Sequence, residues 1–461
     1  MLKRGLVYLI LLLEVGVVSA QPKVTLEQLQ QDWSRYQGQR VTITTPLVLC
    51  GRYYDSLIVS SERLYVPEER AVGLGDGDST SYWYWRHYND SLRIKLQGRL
   101  SFDINLGATV KNLTAQVMGP RWLQTGAQVR FKNFKPSKCV SPAKSDLILC
   151  AANLQNYFVH VGGYATKRNT PAQHQWQCEK TAAALTKIGA DIYALCELEQ
   201  GSSAPAELVA RMNELCRKDR YAFVVTDTID RDTISVGYIY NKECVCPKGD
   251  LIFAYENKND IYAHRFMIQA FEHIPTGQSF YISLNHPRSK RGIPQEANAK
   301  RVANIARVLA AIDSLKKNTP CPTGEGSGKG LPILLLGDYN AYGQEQSLQM
   351  LVKAGYRDMV MAMDSLNYSY SYDGECGYLD RAFANEPMQA YITSIHPIHW
   401  NTDYYYSAAY WSKYNYKNNI PPTQKQPNIW KCVTPQAKKN LIFRYSDHDP
   451  LLITLKLTTN H

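Results

Sequence analysis

Apolar positions recur first at helical spacing and then at alternate positions. Leu26, Leu29, Trp33 and Tyr36 fall on one face of a short amphipathic helix. After them Val41 to Leu49, Ser56 to Ser60, Leu92 to Leu96 and Ala108 to Met118 read as strands divided by Gly, Asp and Asn turns. This predicts a small, mostly β domain over 21–134, for which an OB-like barrel is one candidate form. A structural or docking module without a ligand fits the same pattern, because fold does not fix function. Residues 135–145, with Pro136 and Pro142, read as a linker.

From residue 146 to residue 461 the pattern changes. Strand-like runs at Leu147 to Ala151, Ile192 to Cys196, Val224 to Val225, Ile234 to Tyr240, Phe266 to Phe271, Phe280 to Leu284 and Ile333 to Leu336 alternate with helical runs. The helices are expected at Trp176 to Ile188, Ala206 to Leu215 and Gln295 to Leu315, the last with Ile305, Val308, Leu309 and Ile312 on one face. Packed sheets with outer helices follow, an α+β or α/β sandwich. The Gly-rich stretch Gly324 to Gly330 lacks the spacing of a phosphate loop and precedes its strand, so it reads as a connecting loop.

Composition adds an address and a charge. Lys3-Arg4, an apolar run from Leu6 to Leu13 and the small residues Val18-Ser19-Ala20 have the shape of a secretory signal peptide over 1–20. No stretch is long and apolar enough for a good transmembrane helix. A secreted, periplasmic or cell-surface protein is expected. The net charge of +11 suits a polyanionic partner, but a solvated surface would carry it equally well. Eleven cysteines fit an oxidising compartment, and the odd number leaves at least one unpaired within a single chain. Cys150 and Cys196 read as buried small hydrophobes, and Cys244-Val245-Cys246 lacks the second pair of a zinc site. Disulfides are expected among Cys50, Cys139, Cys178, Cys216, Cys321, Cys376 and Cys432, with no connectivity assigned.

The candidate chemistry lies where apolar strands end. Ser446-Asp447-His448-Asp449-Pro450 precedes the run Leu451 to Leu457 and places an imidazole among carboxylates. Upstream, strand-like runs finish in Asn153, in Glu197, in Asn285-His286 and in Asp338 with Asn340 two residues on. Each of these residues alone has a structural reading, as a cap, a surface group or a loop histidine. An open sheet that ends its strands in such groups builds a site at its edge. The Tyr- and Trp-rich stretch Asn401 to Lys431 reads first as a packed insertion, and second as a stacking surface for bases.

Six stretches, CAANLQNYF, YALCELE, SLNHPRSK, LLLGDYNAY, GYLDRAFAN and SDHDPLL, stand in this order in the chain. They resemble the ordered motifs of the endonuclease/exonuclease/phosphatase superfamily, and most of all its secreted bacterial nucleases. The resemblance covers roughly Asp146 to the C-terminus. It implies a two-sheet deoxyribonuclease-like α/β sandwich and a Mg²⁺-dependent (or Mn²⁺- or Ca²⁺-dependent) hydrolase of phosphate esters. By resemblance, Asn153, Glu197 and Asp447 hold the metal. His448 is general base or phosphate contact, with Asp380 orienting it. Asp338 and Asn340 position water and phosphate, and His286 contacts the phosphate or protonates the leaving oxygen. The chain departs from the pattern at Ala152, where an aromatic is usual, and at Pro287 after His286. The carboxylate that would pair with His286 is not evident, Asp232 being one candidate. A secreted endonuclease acting on DNA, with RNA a further substrate, is the leading expectation. A lipid or inositol phosphate hydrolase of the same superfamily is the second, and a non-catalytic binding protein on this scaffold the third.

Overall fold

Long apolar runs with few polar interruptions can be buried on both faces, and in this chain they build two sheets packed face to face. The computed structural model describes residues 21–53, 55–71, 81–100, 104–132, 145–160, 171–228, 233–255, 262–319, 330–365, 367–404 and 441–457. The expected signal peptide, most of the expected linker, most of the Gly-rich stretch, Asp232 and most of the Tyr-rich stretch lie outside these residues.

The first sheet runs in the order Tyr221–Phe223, Ile234–Asn241, Ile192–Glu199, Leu147–Tyr157, Leu451–Leu455, Ile392–Pro397. The second runs Val245–Phe253, Phe266–His273, Ser279–Asn285, Ile333–Asp338, Asp380–Ala384, Arg357–Asp358. Inward side chains of both, among them Leu149, Ala194, Ile453, Ile282, Leu334 and Ala382, form one core between the sheets. Helices Pro171–Ile188 and Ser203–Cys216 pack on the outer face of the first sheet. Helix Pro294–Asn318 covers the outer face of the second through Ile305, Val308 and Ile312. The sandwich with outer helices is as expected. Val224 and Val225 are not in a strand; the strand is Tyr221–Phe223, one turn earlier, where it pairs with Ile239 to Asn241.

The amino-terminal residues have a core of their own, around Leu29, Val41, Leu57, Ile94 and Val117. The expected single helix is two, Leu26–Gln31 and Trp33–Tyr36, because Asp32 leaves helical geometry and caps the second through its side chain. Eight strands form one sheet, whose order does not establish a barrel of the oligonucleotide-binding type; the mostly β character is as expected. A further small sheet joins this region to the sandwich: Leu64–Tyr65 pairs in parallel with Glu375–Gly377, which pairs with Tyr370–Tyr372.

The disulfide expectation needs correcting. Cys50, Cys178, Cys216 and Cys376 are free thiols. Cys139, Cys321 and Cys432 lie outside the described residues. Cys376 meets the Arg63 guanidinium instead, Nη1 lying 3.5 Å from Sγ.

Candidate metal and acid–base site

The two central strands of the first sheet do not stop at their polar residues. The Leu147 strand runs on to Tyr157 and the Ile192 strand to Glu199. Asn153 and Glu197 sit at irregularities where the register of pairing shifts. Glu197 has φ of +61°, left-handed backbone that a glutamate rarely adopts. A bulge of this kind re-aims a side chain that regular alternation would point elsewhere. Glu197 Oε2 accepts the Asn156 N–H at 2.7 Å, which fixes the carboxylate.

The second sheet supplies the opposite wall. His286 follows Asn285 at the end of its strand, its N–H donating to the Arg265 carbonyl at 2.9 Å. Asp338 ends the neighbouring strand. Gly337 before it has φ of +134°, and a Cβ there would lie 2.0 Å from the Asn285 carbonyl oxygen, so only glycine lets the two strands close up beneath the site. Asp338 Oδ1 accepts the Asn340 N–H at 2.9 Å, and Oδ2 accepts from Asn153 Nδ2 at 2.9 Å, joining the two sheets. Asn340 Nδ2 donates to the Pro287 carbonyl at 3.2 Å.

His448 enters from the loop before the Leu451 strand. Its Nδ1 lies 2.8 Å from Asp380 Oδ2, and its Nε2 lies 3.9 Å from Asp338 Oδ2. The same Asp380 oxygen accepts the Ser369 hydroxyl at 2.7 Å. Tyr370 covers the imidazole, the ring centres 4.5 Å apart. The loop is held from behind. Asn401 Nδ2 donates to the His448 carbonyl at 2.6 Å. Asp449 accepts the Asn401 N–H at 2.7 Å and meets His399 Nδ1 at 2.8 Å. Asp449 and His399 thus brace the loop and do not face the site.

Glu197, His286 and Asp338 bring one ligand atom each to within 4.8 Å of one another. His286 Nε2 lies 3.6 Å from Asp338 Oδ2 and 3.9 Å from Glu197 Oε1. Burial, and then the charge of Asp447, push the Glu197 carboxyl up. Burial likewise pushes Asp338 up against the pull of His448. Burial pushes the His286 pKa well down, with Arg265 and His448 adding to it. For His448 burial acts downward, but Asp380 and Asp338 outweigh it and hold the imidazolium well above its usual range. Two crowded carboxylates can give a divalent cation its oxygen ligands, and the imidazole beside them can add a nitrogen. These residues fit such an ion.

The residues expected in the site stand in or beside it. Asn153 binds Asp338. Asp447 acts on Glu197 by charge, and its carboxylate accepts no hydrogen bond among the described residues. His286 and Asp338 join Glu197 in the cluster that can hold a metal. Sequence reasoning missed Ser369, Tyr370 and Arg265, and gave Asn401 no role. Arg265 is close enough to Glu197 to feel its charge, and its Nε has no hydrogen-bond partner among the described residues. Only the position of Arg265, first before the Phe266 strand and level with the end of the Asn285 strand, could have pointed to it.

No family model matches the chain, and no curated protein does. Solved structures do. An endonuclease/exonuclease/phosphatase family protein from Bacteroides thetaiotaomicron is 16% identical, with 67% of this chain and 97% of that chain covered and a TM-score of 0.42. A mannosyl-6-phosphatase from the same organism is 17% identical, with 67% and 99% covered and a TM-score of 0.42. A truncated TDP2 from Caenorhabditis elegans is 13% identical, with 67% and 97% covered and a TM-score of 0.41. At this level the likeness carries no argument about chemistry, which rests on the side chains. The chain is similar to solved proteins of the endonuclease/exonuclease/phosphatase family.

Proposed function

We propose that the protein is a secreted, divalent-metal-dependent phosphodiesterase, most simply a nuclease that cleaves DNA. One observation carries the reading: the Asp380–His448 pair faces the Glu197–His286–Asp338 cluster across a single carboxylate, that of Asp338. A positioned base and a cation-binding cluster are the two parts with which metal-assisted hydrolysis of a phosphate ester can be run.

Glu197, His286 and Asp338 would hold the cation, with Asp447 adding charge beside them. Such a cation, when bound, stabilises negative charge on phosphate oxygens. The chain's own residues do the rest. Once the pull of the surrounding carboxylates on its proton is relieved, His448 takes a proton at Nε2 from the attacking water, because Nδ1 is committed to Asp380. Asp380 holds the tautomer and stabilises the imidazolium that results. Ser369 fixes the Asp380 oxygen that does this. Asn340 and Arg265 would bind the phosphate. The Tyr370 ring shields one face of His448 from water.

DNA as substrate is favoured by the net charge of +11 and by the motif resemblance. The test is incubation of the purified protein with circular DNA, sphingomyelin and inositol phosphates side by side, with Mg²⁺ and with chelator. Nicked and linear DNA that appear only with the metal are expected. Hydrolysis of the lipid or the inositol phosphates alone would replace the nuclease with the second reading. No hydrolysis of any substrate would leave a binding protein.

A further inference from the structure

The amino-terminal region reaches into the back of the site. After the Leu64–Tyr65 strand, which pairs with Glu375–Gly377, the short helix Pro67–Arg70 carries a buried Glu69. Glu69 Oε1 accepts the Tyr378 N–H at 3.0 Å. Glu69 Oε2 accepts from Arg381 Nη2 at 2.6 Å. Arg381 is wholly buried, and its Nη1 donates to Asp358 at 2.6 Å. Asp380 therefore lies between the two residues that Glu69 holds, and Asp380 is the group that meets His448.

We propose that Glu69 is a positioning residue for the reaction. It clamps the segment Tyr378–Arg381 from both sides, and so sets the aim of Asp380 and, through it, of His448. The clamp makes the amino-terminal region part of the catalytic machinery instead of a detachable module. The role rests on the phosphoesterase reading of the Asp380–His448 pair; the clamp itself does not. A buried ion pair adds little net stability compared with apolar packing. Here three hydrogen bonds converge on one carboxylate, one from the Tyr378 N–H and two from Arg381 Nη2, and Tyr378 and Arg381 flank a reacting side chain's partner.

The test uses the full chain. Glu69→Ala and Glu69→Gln are compared with Arg86→Ala. Arg86 also bridges the two regions, through Glu375 at 2.8 Å, but touches neither Tyr378 nor Arg381. With bis(4-nitrophenyl) phosphate and Mg²⁺, Glu69→Ala should lower kcat roughly ten- to a hundred-fold and leave KM unchanged, the scale of a residue that orients a catalytic partner. Glu69→Gln, which can still accept the Tyr378 N–H, should recover part of the loss, and Arg86→Ala should match wild type. The double variant Glu69→Ala/Asp380→Asn should be no slower than Asp380→Asn alone. Losses that multiply, or a kcat that does not move, overturn the proposal. Amide hydrogen exchange reads the clamp without activity: Tyr378 and Asp380 should exchange faster in Glu69→Ala than in Arg86→Ala, and equal rates overturn it. A wild-type chain that cleaves no phosphoester sinks the functional reading alone, and exchange then decides the clamp. If Glu69→Ala does not fold, Glu69→Gln carries both measurements, with smaller shifts expected in the same direction.

Discussion

His448 and His286 approach the same carboxylate, Asp338, from the two sheets, yet only His448 has a partner for its far nitrogen. Nδ1 of His448 is tied to Asp380, whereas Nδ1 of His286 is buried with no hydrogen-bond partner among the described residues. The negative groups around His448 raise its pKa well above the usual range. Burial and nearby positive charge push that of His286 well down. One imidazole is prepared to carry a proton and the other to stay neutral. The pairing of a titrating histidine with a neutral one divides the labour: proton transfer on the His448 side, cation or phosphate contact on the His286 side. Positive charge placed on Asp338 would weaken the pull that keeps His448 protonated, and so ready it to accept a proton.

The sharpest way to break this comparison is to remove the proton carrier. His448→Ala should cut turnover by roughly two to four decades, the scale of a positioned acid–base group, while the fold survives. Near-normal turnover would end the catalytic reading of the SDHDP loop. The next effect is smaller. Asp380→Asn keeps the imidazole but disturbs its tautomer, so it should do less than His448→Ala, and the double variant should be little worse than His448→Ala. Multiplying losses would separate the two residues.

The metal side can be tested without turnover. Glu197 and Asp338 are carboxylates whose pKa values burial raises, so without a cation their charges burden the folded state at neutral pH. Adding Mg²⁺ or Mn²⁺ should raise the melting temperature, and Glu197→Gln should shrink that rise. An equal rise in both proteins would place the ion elsewhere. Chelator should abolish hydrolysis in the wild type.

The strand-end rule made the polar residues legible, because apolar runs that stop at Asp338 and His286 are a pattern in one dimension. The bulges at Asn153 and Glu197 were not legible. One extra residue in a strand leaves no compositional trace, and the backbone that re-aims Glu197 follows from pairing with strands far along the chain. The sandwich could be read from periodicity, while the eight-stranded order of the amino-terminal sheet could not, since Pro46 and the turns near Lys111 split runs that looked continuous. Nor could Glu69 meeting Arg381, which are 312 residues apart. Ser369 and Tyr370 carry no signal of their own in the sequence; it is the fold that sets them against Asp380 and His448.

The smallest effect expected concerns stability, and it separates the two histidines by sign. The folded-state pKa of His448 is raised, so its contribution is fully present below the unfolded value of about 6.5 and is lost as pH rises through the folded value. The folded-state pKa of His286 is lowered, so the unfolded chain binds more protons as pH falls below about 6.5, and the folded state loses stability on the acid side. Urea midpoints across this range, in excess chelator so that no cation sits on Asp338, should therefore respond in opposite ways to the two replacements. His286→Gln, which keeps a polar side chain without an ionising group, should flatten the acid-side fall. His448→Gln should flatten the alkaline-side fall and leave the acid side alone. Because both histidines face Asp338, each replacement also shifts the other's setting slightly, and the two changes need not add. If both variants flatten the same limb, the contrast between a charged His448 and a neutral His286 is wrong, and with it the division of labour drawn across Asp338.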